Sequence, residues 1–313
     1  MEDQKNSFRI LSVNLSEKKG TVKLPVPGIT VNEHGVEGDA HAGDWDRQVS
    51  ILGSESIKRF SEVEKRKISY GEFAENITTE GFDLLHCIPL DRFQIGSTEL
   101  EITQIGKECH GTACAIFKET GNCIMPKEGI FCRVIKQGII KPGMTGIYIP
   151  KIFRIFILTL SNRASKGIYD DKSGPRVKEL ISDFLSTKKI RYIVDNEIIP
   201  DNAVMLRSIV REKSFLSDII ITTGGTGIGP DDITIEVVKS MLDKEIPGIM
   251  EFIRLKYGAD YPQALLSRSV AGIMGNSLVF TLPGSLKAVN EYMEEILKSL
   301  LHCVYMKHGL SMH

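Results

Sequence analysis

The stretch that decides the fold of the C-terminal half is residues 218–232, with the sequence DIIITTGGTGIGPDD. Its apolar start predicts a strand over 218–222, and the glycines that follow predict a loop. Glycine lets backbone N–H groups approach a phosphate closely, and a helix behind the loop adds the positive end of its dipole. The loop lacks both the Gly-Lys-Ser/Thr ending of a P-loop and the Gly-x-Gly-x-x-Gly of a dinucleotide site. We therefore predict an anion-binding loop of another kind.

Strands and helices alternate on both sides of this loop. Apolar runs predict strands at 152–160, 192–199, 218–222 and 278–282. Helical periodicity predicts helices at 177–185, 203–210, 235–242 and 288–308, the first of them capped by Ser173. The run at 152–160 is apolar throughout, as in a strand buried on both faces of a parallel sheet. The alternation predicts a three-layer α/β/α domain with a mostly parallel sheet over residues 151–313.

Polar loops follow the predicted strands of this domain, at 161–165, 200–202, 222–232 and 282–287. In an open α/β sheet, ligands bind outside the carboxyl ends of the strands. Asp201 and Asp232 are candidate Mg²⁺ ligands, because Mg²⁺ on nucleotide phosphates needs few ligands from the protein. The alternative is that the glycines form only a tight turn and that Asp232 only caps a helix. The convergence of several such loops favours a binding site.

The N-terminal half has a different pattern, in which glycine, proline and charged turns separate short β-rich runs. These runs predict strands at 8–15, 21–24, 49–52, 92–95, 100–105, 131–135 and 146–149. A single helical stretch, near 54–64, interrupts them. Many short strands at this spacing predict a closed or curled sheet, a β-rich barrel over residues 1–150.

Composition excludes several classes of protein. The 313 residues are about twice a usual domain length, which favours two domains. Lysine and arginine total 39 against 40 acidic residues, so the chain lacks the basic surplus of a nucleic-acid binder. No apolar run approaches the roughly 20 residues that span a bilayer, and the first residues are polar where a signal peptide is apolar. We expect a cytoplasmic protein with no nucleic-acid or membrane partner.

Residues 151–313 carry a set of motifs in a fixed order. They are Arg163-Ala-Ser165, Tyr169-x-Asp171, Ile199-Pro-Asp201, Thr222-Thr-Gly-Gly-Thr-Gly227 with Asp232, Leu266-Ser-Arg268 and Leu282-Pro-Gly-Ser285. With these motifs the half resembles the MogA/MoaB family of molybdenum-cofactor enzymes. The resemblance implies adenylylation of molybdopterin by ATP with Mg²⁺, release of pyrophosphate, and assembly as a homotrimer.

The same resemblance implies roles for individual residues. Asp201 and Asp232 are carried over as catalytic, metal-linked carboxylates. The implied ligand contacts are Ser161, Thr223, Gly224, Gly225, Thr226, Gly227, Ser285 and Lys287. For Lys287 the alternative is a solvated lysine at a helix start. Asn162 and Asp231 depart from the family, which usually has Asp and Arg at these positions.

Residues 1–150 carry a second set of motifs. They are Gly35-Val-Glu-Gly-Asp-Ala-His-Ala-Gly43, Arg47-Gln-Val-Ser50, Phe73-Ala-Glu-Asn-Ile-Thr-Thr-Glu-Gly81, Gly106-Lys-Glu-Cys109-His110 and Cys123-Ile-Met-Pro-x-Glu-Gly129. With them this half resembles a MOSC domain, named after the C-terminal part of molybdenum-cofactor sulfurases. The resemblance implies that the domain binds the molybdenum cofactor or carries sulfur on Cys109. Arg47, Glu75 and Asn76 would contact an anionic pterin or oxyanion.

Two clusters in this half leave alternatives open. Lys107 and His110 beside Cys109 could lower the pKa of its thiol, whereas Cys109, His110, Cys114 and Cys123 could instead bind zinc or iron. Their spacing matches no standard zinc motif. The second cluster is His34, Glu37, Asp39 and His41. A hydrogen-bonded loop that lines a pocket is favoured there over a metal site.

Both resemblances point to the same cofactor. We therefore predict a bifunctional molybdenum-cofactor protein whose C-terminal domain activates molybdopterin and whose N-terminal domain binds cofactor or carries sulfur. Candidate partners are molybdopterin synthase, a molybdenum-insertion protein and a sulfur donor. The alternatives are a non-catalytic carrier of molybdopterin or of the molybdenum cofactor, and a sulfur-transfer enzyme with a pterin-docking domain.

Overall fold

The computed structural model describes residues 6–107 and 122–310, which divide into two compact units. One unit comprises the described residues up to Lys151 together with Leu310, and the other comprises Ile152–Gly309. No helix in the described part of the chain has the length and apolar character needed to cross a membrane.

The N-terminal unit is a β-barrel. Its strands are β1 (Ser7–Leu15), β2 (Leu24–Val26), β3 (Ile29–Asn32), β4 (Gly35–Val36), β5 (Val49–Gly53), β6 (Ile77–Glu80), β7 (Arg92–Ile95), β8 (Thr98–Ile105), β9 (Ile130–Lys136), β10 (Gly138–Ile140) and β11 (Thr145–Ile149). The larger sheet has the order β11-β7-β8-β9-β5-β6-β1-β2, and β11 also pairs with β1, which closes it. A core of Phe8, Ile10, Ile51, Phe93 and Ile102 fills this unit. The prediction of a closed β-rich half is confirmed.

Several details of this unit differ from the prediction. The strand predicted at 21–24 is shifted to Leu24–Val26. The shift arises because Lys23 is buried against Asp39, and its backbone N–H donates to Gly71 outside any strand ladder. The helix near 54–64 is α1 (Ser54–Glu64), but it is not the single helix predicted, since α2 (Met125–Glu128) is a second one.

The second unit alternates strands and helices around one sheet. Its strands are β12 (Phe153–Leu160), β13 (Tyr192–Ile199), β14 (Ile219–Thr223), β15 (Lys244–Glu245), β16 (Ala271–Met274) and β17 (Ser277–Leu282). Its helices are α3 (Ser173–Thr187), α4 (Ala203–Leu216), α5 (Thr234–Lys239), α6 (Pro247–Gly258) and α7 (Leu286–Lys307). The sheet order is β13-β12-β14-β17-β16-β15, with parallel pairing from β13 to β17 and antiparallel pairing beyond.

Burial explains why the strands of this unit were visible in the sequence. Every residue of β14 and β17 is buried, as expected for central parallel strands. Phe156 and Leu158 of β12 share one buried core cluster with Leu206 and Val210 of α4. The predicted strands are therefore confirmed, with shifts of one residue at some ends.

The start of α3 corrects one prediction. Ser173 lies inside the helix and is not its cap. The Asp171 carboxylate instead accepts hydrogen bonds from the backbone N–H groups of Ser173 at 2.9 Å and Gly174 at 3.2 Å. It also accepts one from the Thr159 hydroxyl at 2.7 Å, which ties the helix start to the end of β12. A carboxylate at a helix start is stabilised by the helix dipole as well as by these bonds.

Candidate functional site

A cavity of about 430 Å³ opens at the carboxyl ends of β14 and β17. The loop after β14 and the start of α7 form two of its walls, and the segment after α6 forms a third. The lining residues are Gly225, Thr226, Gly227, Asp232, Tyr261, Gln263, Ala264, Leu266, Ser267, Pro283, Gly284, Ser285, Lys287, Ala288, Glu291 and Tyr292. Its size is within the range of small-molecule binding sites.

The loop after β14 depends on glycine for its shape. Gly224 and Gly225 have φ values of +98° and +62°, in the left-handed region that other residues rarely adopt. A Cβ atom at Gly224 would lie 2.3 Å from the carbonyl oxygen of Leu160, at the end of β12. Thr234 closes the turn, since its hydroxyl donates to the Gly224 carbonyl at 2.8 Å. The backbone of this loop is therefore held close against the sheet.

Asp232 folds back into the same loop. Its Oδ2 atom accepts the Gly229 N–H at 2.8 Å, and a Cβ on Gly227 would lie 2.7 Å from that oxygen. The helix α5 begins at Thr234 without a side-chain cap, so the alternative that Asp232 only caps a helix is wrong. Asp232 instead lines the cavity.

Arg268 holds this loop from outside the cavity lining. Its guanidinium donates to the carbonyl oxygens of Gly227 at 2.7 Å and Asp232 at 3.0 Å, and its backbone N–H donates to Thr226 at 3.0 Å. It also pairs with Glu236 on α5, and this hydrogen bond lowers the pKa of Glu236. Arg268 is not among the residues predicted for the site, although the motif Leu266-Ser-Arg268 belongs to the sequence pattern. These bonds direct two loop carbonyls toward the arginine.

Ser285 and Lys287 form the opposite wall. Ser285 caps α7, since its hydroxyl accepts the Ala288 N–H at 3.2 Å. The Lys287 ammonium lies 3.3 Å from the centroid of the Tyr261 ring and 3.8 Å from the Glu291 carboxylate. Lys287 thus contacts Tyr261, although its side chain is 57% exposed. Tyr261 was missed in the sequence, because nothing local relates it to a lysine on another helix.

Asp201 forms a reciprocal pair with Asn162. Its Oδ2 atom accepts the Asn162 N–H at 3.0 Å, and its own N–H donates to Asn162 Oδ1 at 3.1 Å. The departure from the family at Asn162 thus keeps the contact between these two loops. Asp201 does not line the cavity. Among the described residues, no group of three or more His, Cys, Asp or Glu is arranged to hold a metal ion.

Three other predicted residues also lie outside the cavity lining, namely Ser161, Thr223 and Gly224. The Ser161 hydroxyl accepts the Ala164 N–H at 3.1 Å and lies 3.2 Å from the Tyr169 hydroxyl. Thr223 donates to the Pro283 carbonyl at 3.2 Å. The structure thus brings Gly225, Thr226, Gly227, Asp232, Ser285 and Lys287 together on one cavity.

In the N-terminal unit, Asp39 is the centre of a buried polar cluster. It pairs with Lys23 and accepts the N–H of Ser16 at 3.2 Å, the N–H of His41 at 2.9 Å and the amide of Asn76 at 3.1 Å. Burial alone would raise the pKa of Asp39, but the hydrogen bonds from His41 and Lys23 lower it. These bonds support the hydrogen-bonded loop over a metal site.

Glu75 and Asn76 are both buried and bind the protein itself. Glu75 Oε1 accepts the Gly71 N–H at 2.6 Å and the Thr78 hydroxyl at 3.0 Å, while its Oε2 atom is buried without a hydrogen-bond partner. Burial raises the pKa of Glu75 to about 7. Asn76 Oδ1 accepts the Ser50 N–H at 3.1 Å.

The remaining predicted residues of this half are Arg47 and the cysteine cluster. The guanidinium carbon of Arg47 lies 4.9 Å from the centroid of the Trp45 ring, at a partly exposed position. Cys109, His110 and Cys114 lie outside the described residues, so their predicted roles stay predictions.

Fold and site together define a class: a β-barrel unit and an α/β unit with a glycine-loop cavity at its sheet edge. Residues 156–302 match the model of the probable molybdopterin binding domain, and residues 38–145 match that of the MOSC domain. The chain belongs to the MogA/MoaB family of molybdenum-cofactor proteins, and its N-terminal half is a MOSC domain. Both resemblances are confirmed.

Individual relatives match the C-terminal half. The molybdopterin adenylyltransferase of Helicobacter pylori is 36% identical over 153 residues, which cover 48% of this chain and 85% of that protein. The molybdenum cofactor biosynthesis protein B of Staphylococcus aureus is 40% identical over 152 residues, 47% of this chain and 86% of that protein. The crystal structure of the tungsten cofactor synthesizing protein MoaB from Pyrococcus furiosus is 37% identical, with a TM-score of 0.44, over 52% of this chain and 99% of that one.

Proposed function

We propose that this protein adenylylates molybdopterin with Mg-ATP as a step of molybdenum cofactor biosynthesis. The observation that carries the proposal is the cavity, where the glycine loop, Asp232 and Lys287 meet. Relatives named molybdopterin adenylyltransferase match this half of the chain. In the reaction, a phosphate oxygen of molybdopterin attacks the α-phosphorus of ATP. A new P–O–P bond forms, the bond to the bridging oxygen breaks, and pyrophosphate leaves.

The residues of the cavity act by positioning and by charge in this proposal. The loop Gly225–Gly227 offers backbone N–H groups to phosphate oxygens, and Arg268 keeps two of the loop carbonyls turned toward itself. Lys287 on the opposite wall offsets the negative charge that builds up on the transferred group. Asp232 lines the cavity beside the glycine loop.

Mg²⁺ fits the donor set as an ion that arrives with the nucleotide. Asp232 engages Oδ2 with Gly229, which leaves its second carboxylate oxygen for a cation. Mg²⁺ takes most of its ligands from phosphates and water, so one or two carboxylates suffice. Asp201 is the second candidate carboxylate. When bound, the ion would neutralise phosphate charge during transfer.

For the MOSC domain, the proposal is that it binds the cofactor or carries sulfur on Cys109. Arg47 is the candidate contact for an anionic pterin, since its guanidinium is partly exposed. Glu75 and Asn76 hold the surrounding loops, because both are buried and bonded to the chain. A sulfur donor, molybdopterin synthase and a molybdenum-insertion protein are the candidate partners.

The proposal extends to the organisation of the chain. It includes a domain boundary between residues 150 and 151, a three-layer α/β/α arrangement of the C-terminal domain, a homotrimer and a cytoplasmic location. Sedimentation of the purified full chain would give three times the mass of 34.8 kDa if the trimer is correct.

The decisive experiment measures pyrophosphate release and AMP–pterin formation from purified protein, ATP, Mg²⁺ and molybdopterin. Wild type should form product, and Asp232→Asn should lose it. Asp183→Asn changes an exposed aspartate on α3 and should keep full activity. If wild type binds molybdopterin but releases no pyrophosphate, the protein is a carrier and the catalytic proposal fails.

A further inference from the structure

Lys287 and Tyr261 form a cation–π pair inside the cavity, with 3.3 Å between the ammonium and the ring centroid. We infer that Tyr261 is a specificity-determining residue that stacks on a flat heterocycle, and that Lys287 covers its ring until a phosphate group draws the lysine away. This inference rests on the proposed function, because it concerns the same cavity. The inference is tested by ligand binding and the proposed function by product formation, so either can fail without the other.

The backbone holds Tyr261 so that its ring faces the cavity. Tyr261 lies between the end of α6 and a short 3₁₀ turn at Pro262–Leu266. Its N–H donates to the Tyr257 carbonyl at 3.0 Å, and its carbonyl accepts the Ala264 N–H at 2.9 Å. The residue nevertheless stays 53% exposed. A tyrosine with a fixed backbone and an exposed ring is a ready stacking surface.

Lys287 is held weakly enough to leave the ring. Its side chain is 57% exposed, and its other charged neighbour, Glu291, lies 3.8 Å away on the same helix. Exposed cation–π pairs and exposed ion pairs are both weak. A phosphate offers charge-assisted hydrogen bonds, which are stronger. One ammonium cannot cover the ring and contact a phosphate across the cavity at once, so phosphate binding exposes the ring.

The groups that the cavity walls present define the class of ligand. Gly225–Gly227 can donate N–H groups to a phosphate, Lys287 supplies charge, and Tyr261 supplies a flat apolar face. A phosphorylated flat heterocycle satisfies all of them, and it has two possible sources, an adenine nucleotide and a phosphorylated pterin. A ligand without phosphate would meet a covered ring and bind weakly.

Isothermal titration calorimetry of the full chain with four probes tests this inference. The probes are ATP, adenosine, molybdopterin and enzymatically dephosphorylated molybdopterin. Wild type should prefer the phosphorylated member of one pair, and that pair identifies the source. Tyr261→Leu should weaken binding of that ligand about tenfold, whereas Tyr261→Phe should retain it. Lys287→Met should weaken the phosphorylated ligand and strengthen the unphosphorylated one.

Tyr257→Leu is the matched control. Tyr257 also lies under a lysine ammonium, that of Lys256 at 4.8 Å, but it does not line the cavity. Its substitution should leave the binding of all four probes as in wild type. The inference is overturned if Tyr261→Leu binds both phosphorylated probes as tightly as wild type does. It is also overturned if wild type binds neither phosphorylated probe more tightly than its unphosphorylated counterpart, or if Lys287→Met does not bind the unphosphorylated probes more tightly than wild type does. Absence of adenylylation would leave these results unchanged.

Discussion

Among single residues, Gly224 is constrained by conformation and by space at once. Its φ is +98°, and a Cβ there would lie 2.3 Å from the Leu160 carbonyl oxygen. Gly167 separates the two effects, since its φ is +68° but a Cβ there meets no heavy atom within 4 Å. Gly167→Ala should therefore lose about 1 kcal/mol from the left-handed backbone alone. Gly224→Ala should lose clearly more, because the sheet end must also shift.

Calorimetric unfolding of both variants beside wild type gives the two losses. Since Gly224 belongs to the loop that lines the cavity, its alanine variant should also bind molybdopterin more weakly, and Gly167→Ala should not. Equal losses of stability in the two variants would mean that the close approach to Leu160 has no energetic weight.

Arg268 supports the same loop through hydrogen bonds. Arg268→Ala leaves the carbonyls of Gly227 and Asp232 without their donors, which costs about 1–3 kcal/mol for each group that water does not reach. Glu236→Gln is the matched control, because it removes only an exposed ion pair worth about 0–1 kcal/mol. Arg268→Ala should lower the melting temperature and raise the KM for ATP, whereas Glu236→Gln should change both values very little. A large effect of Glu236→Gln would assign the support to the ion pair.

The residues of the site divide by what local sequence can encode. The glycine loop was predictable, because its conformation depends on residues that follow one another. The pairing of Arg268 with Gly227 and that of Lys287 with Tyr261 join segments far apart in the chain. Contacts between side chains across a cavity depend on how distant segments pack, and the hydrophobic periodicity of the sequence does not predict them.

Among the elements, those with a clear sequence pattern are predicted, whereas very short ones and the twelve-residue helix α6 are not. Helix α1 and strand β13 have the predicted bounds, since their patterns extend over eight or more residues. Strands such as β4, with two residues, offer too few positions for alternation to show. Helix α6 was missed because Phe252 and Leu255, 54% and 71% exposed, obscure the apolar stripe on its buried side.

Glu75, in the segment before β6, makes the stability of the barrel depend on pH. Burial raises the pKa of Glu75 from 4.5 to about 7 in the folded chain. Between these values the folded state binds more protons than the unfolded state, so stability falls as the pH rises through about 7. The ionised carboxylate should cost up to about 3 kcal/mol at pH 8.

Glu75→Gln removes this titration. The amide stays neutral at every pH and can still accept the Gly71 N–H, although its NH₂ group takes the place of the buried, unpartnered Oε2 atom. Absolute stability can therefore fall, but its decline between pH 5 and pH 8 should be smaller than in wild type. Melting temperatures of both proteins at these two pH values measure the difference in slope, in which groups common to both cancel. Identical slopes would place the Glu75 pKa near its ordinary value.

For the whole molecule, each half has its own core and matches its own family. The residues proposed for adenylylation belong to the C-terminal half, and the proposed sulfur carrier, Cys109, belongs to the MOSC half. Because the two sets of residues lie in different halves of the chain, a mutation in one half should impair only the activity proposed for that half.

Cys109→Ser and Asp232→Asn test this separation as a pair. Cys109→Ser removes the thiol proposed as the sulfur carrier and should abolish sulfur carriage, since a hydroxyl forms no persulfide, while AMP–pterin formation stays at the wild-type rate. Asp232→Asn should abolish AMP–pterin formation and leave sulfur carriage at the wild-type level. Both activities are measured on each full-length variant, as persulfide content by thiol-specific labelling and as pyrophosphate release. Loss of adenylylation in Cys109→Ser would mean that the cysteine acts in the pterin reaction itself, and full sulfur carriage without Cys109 would exclude it as the carrier.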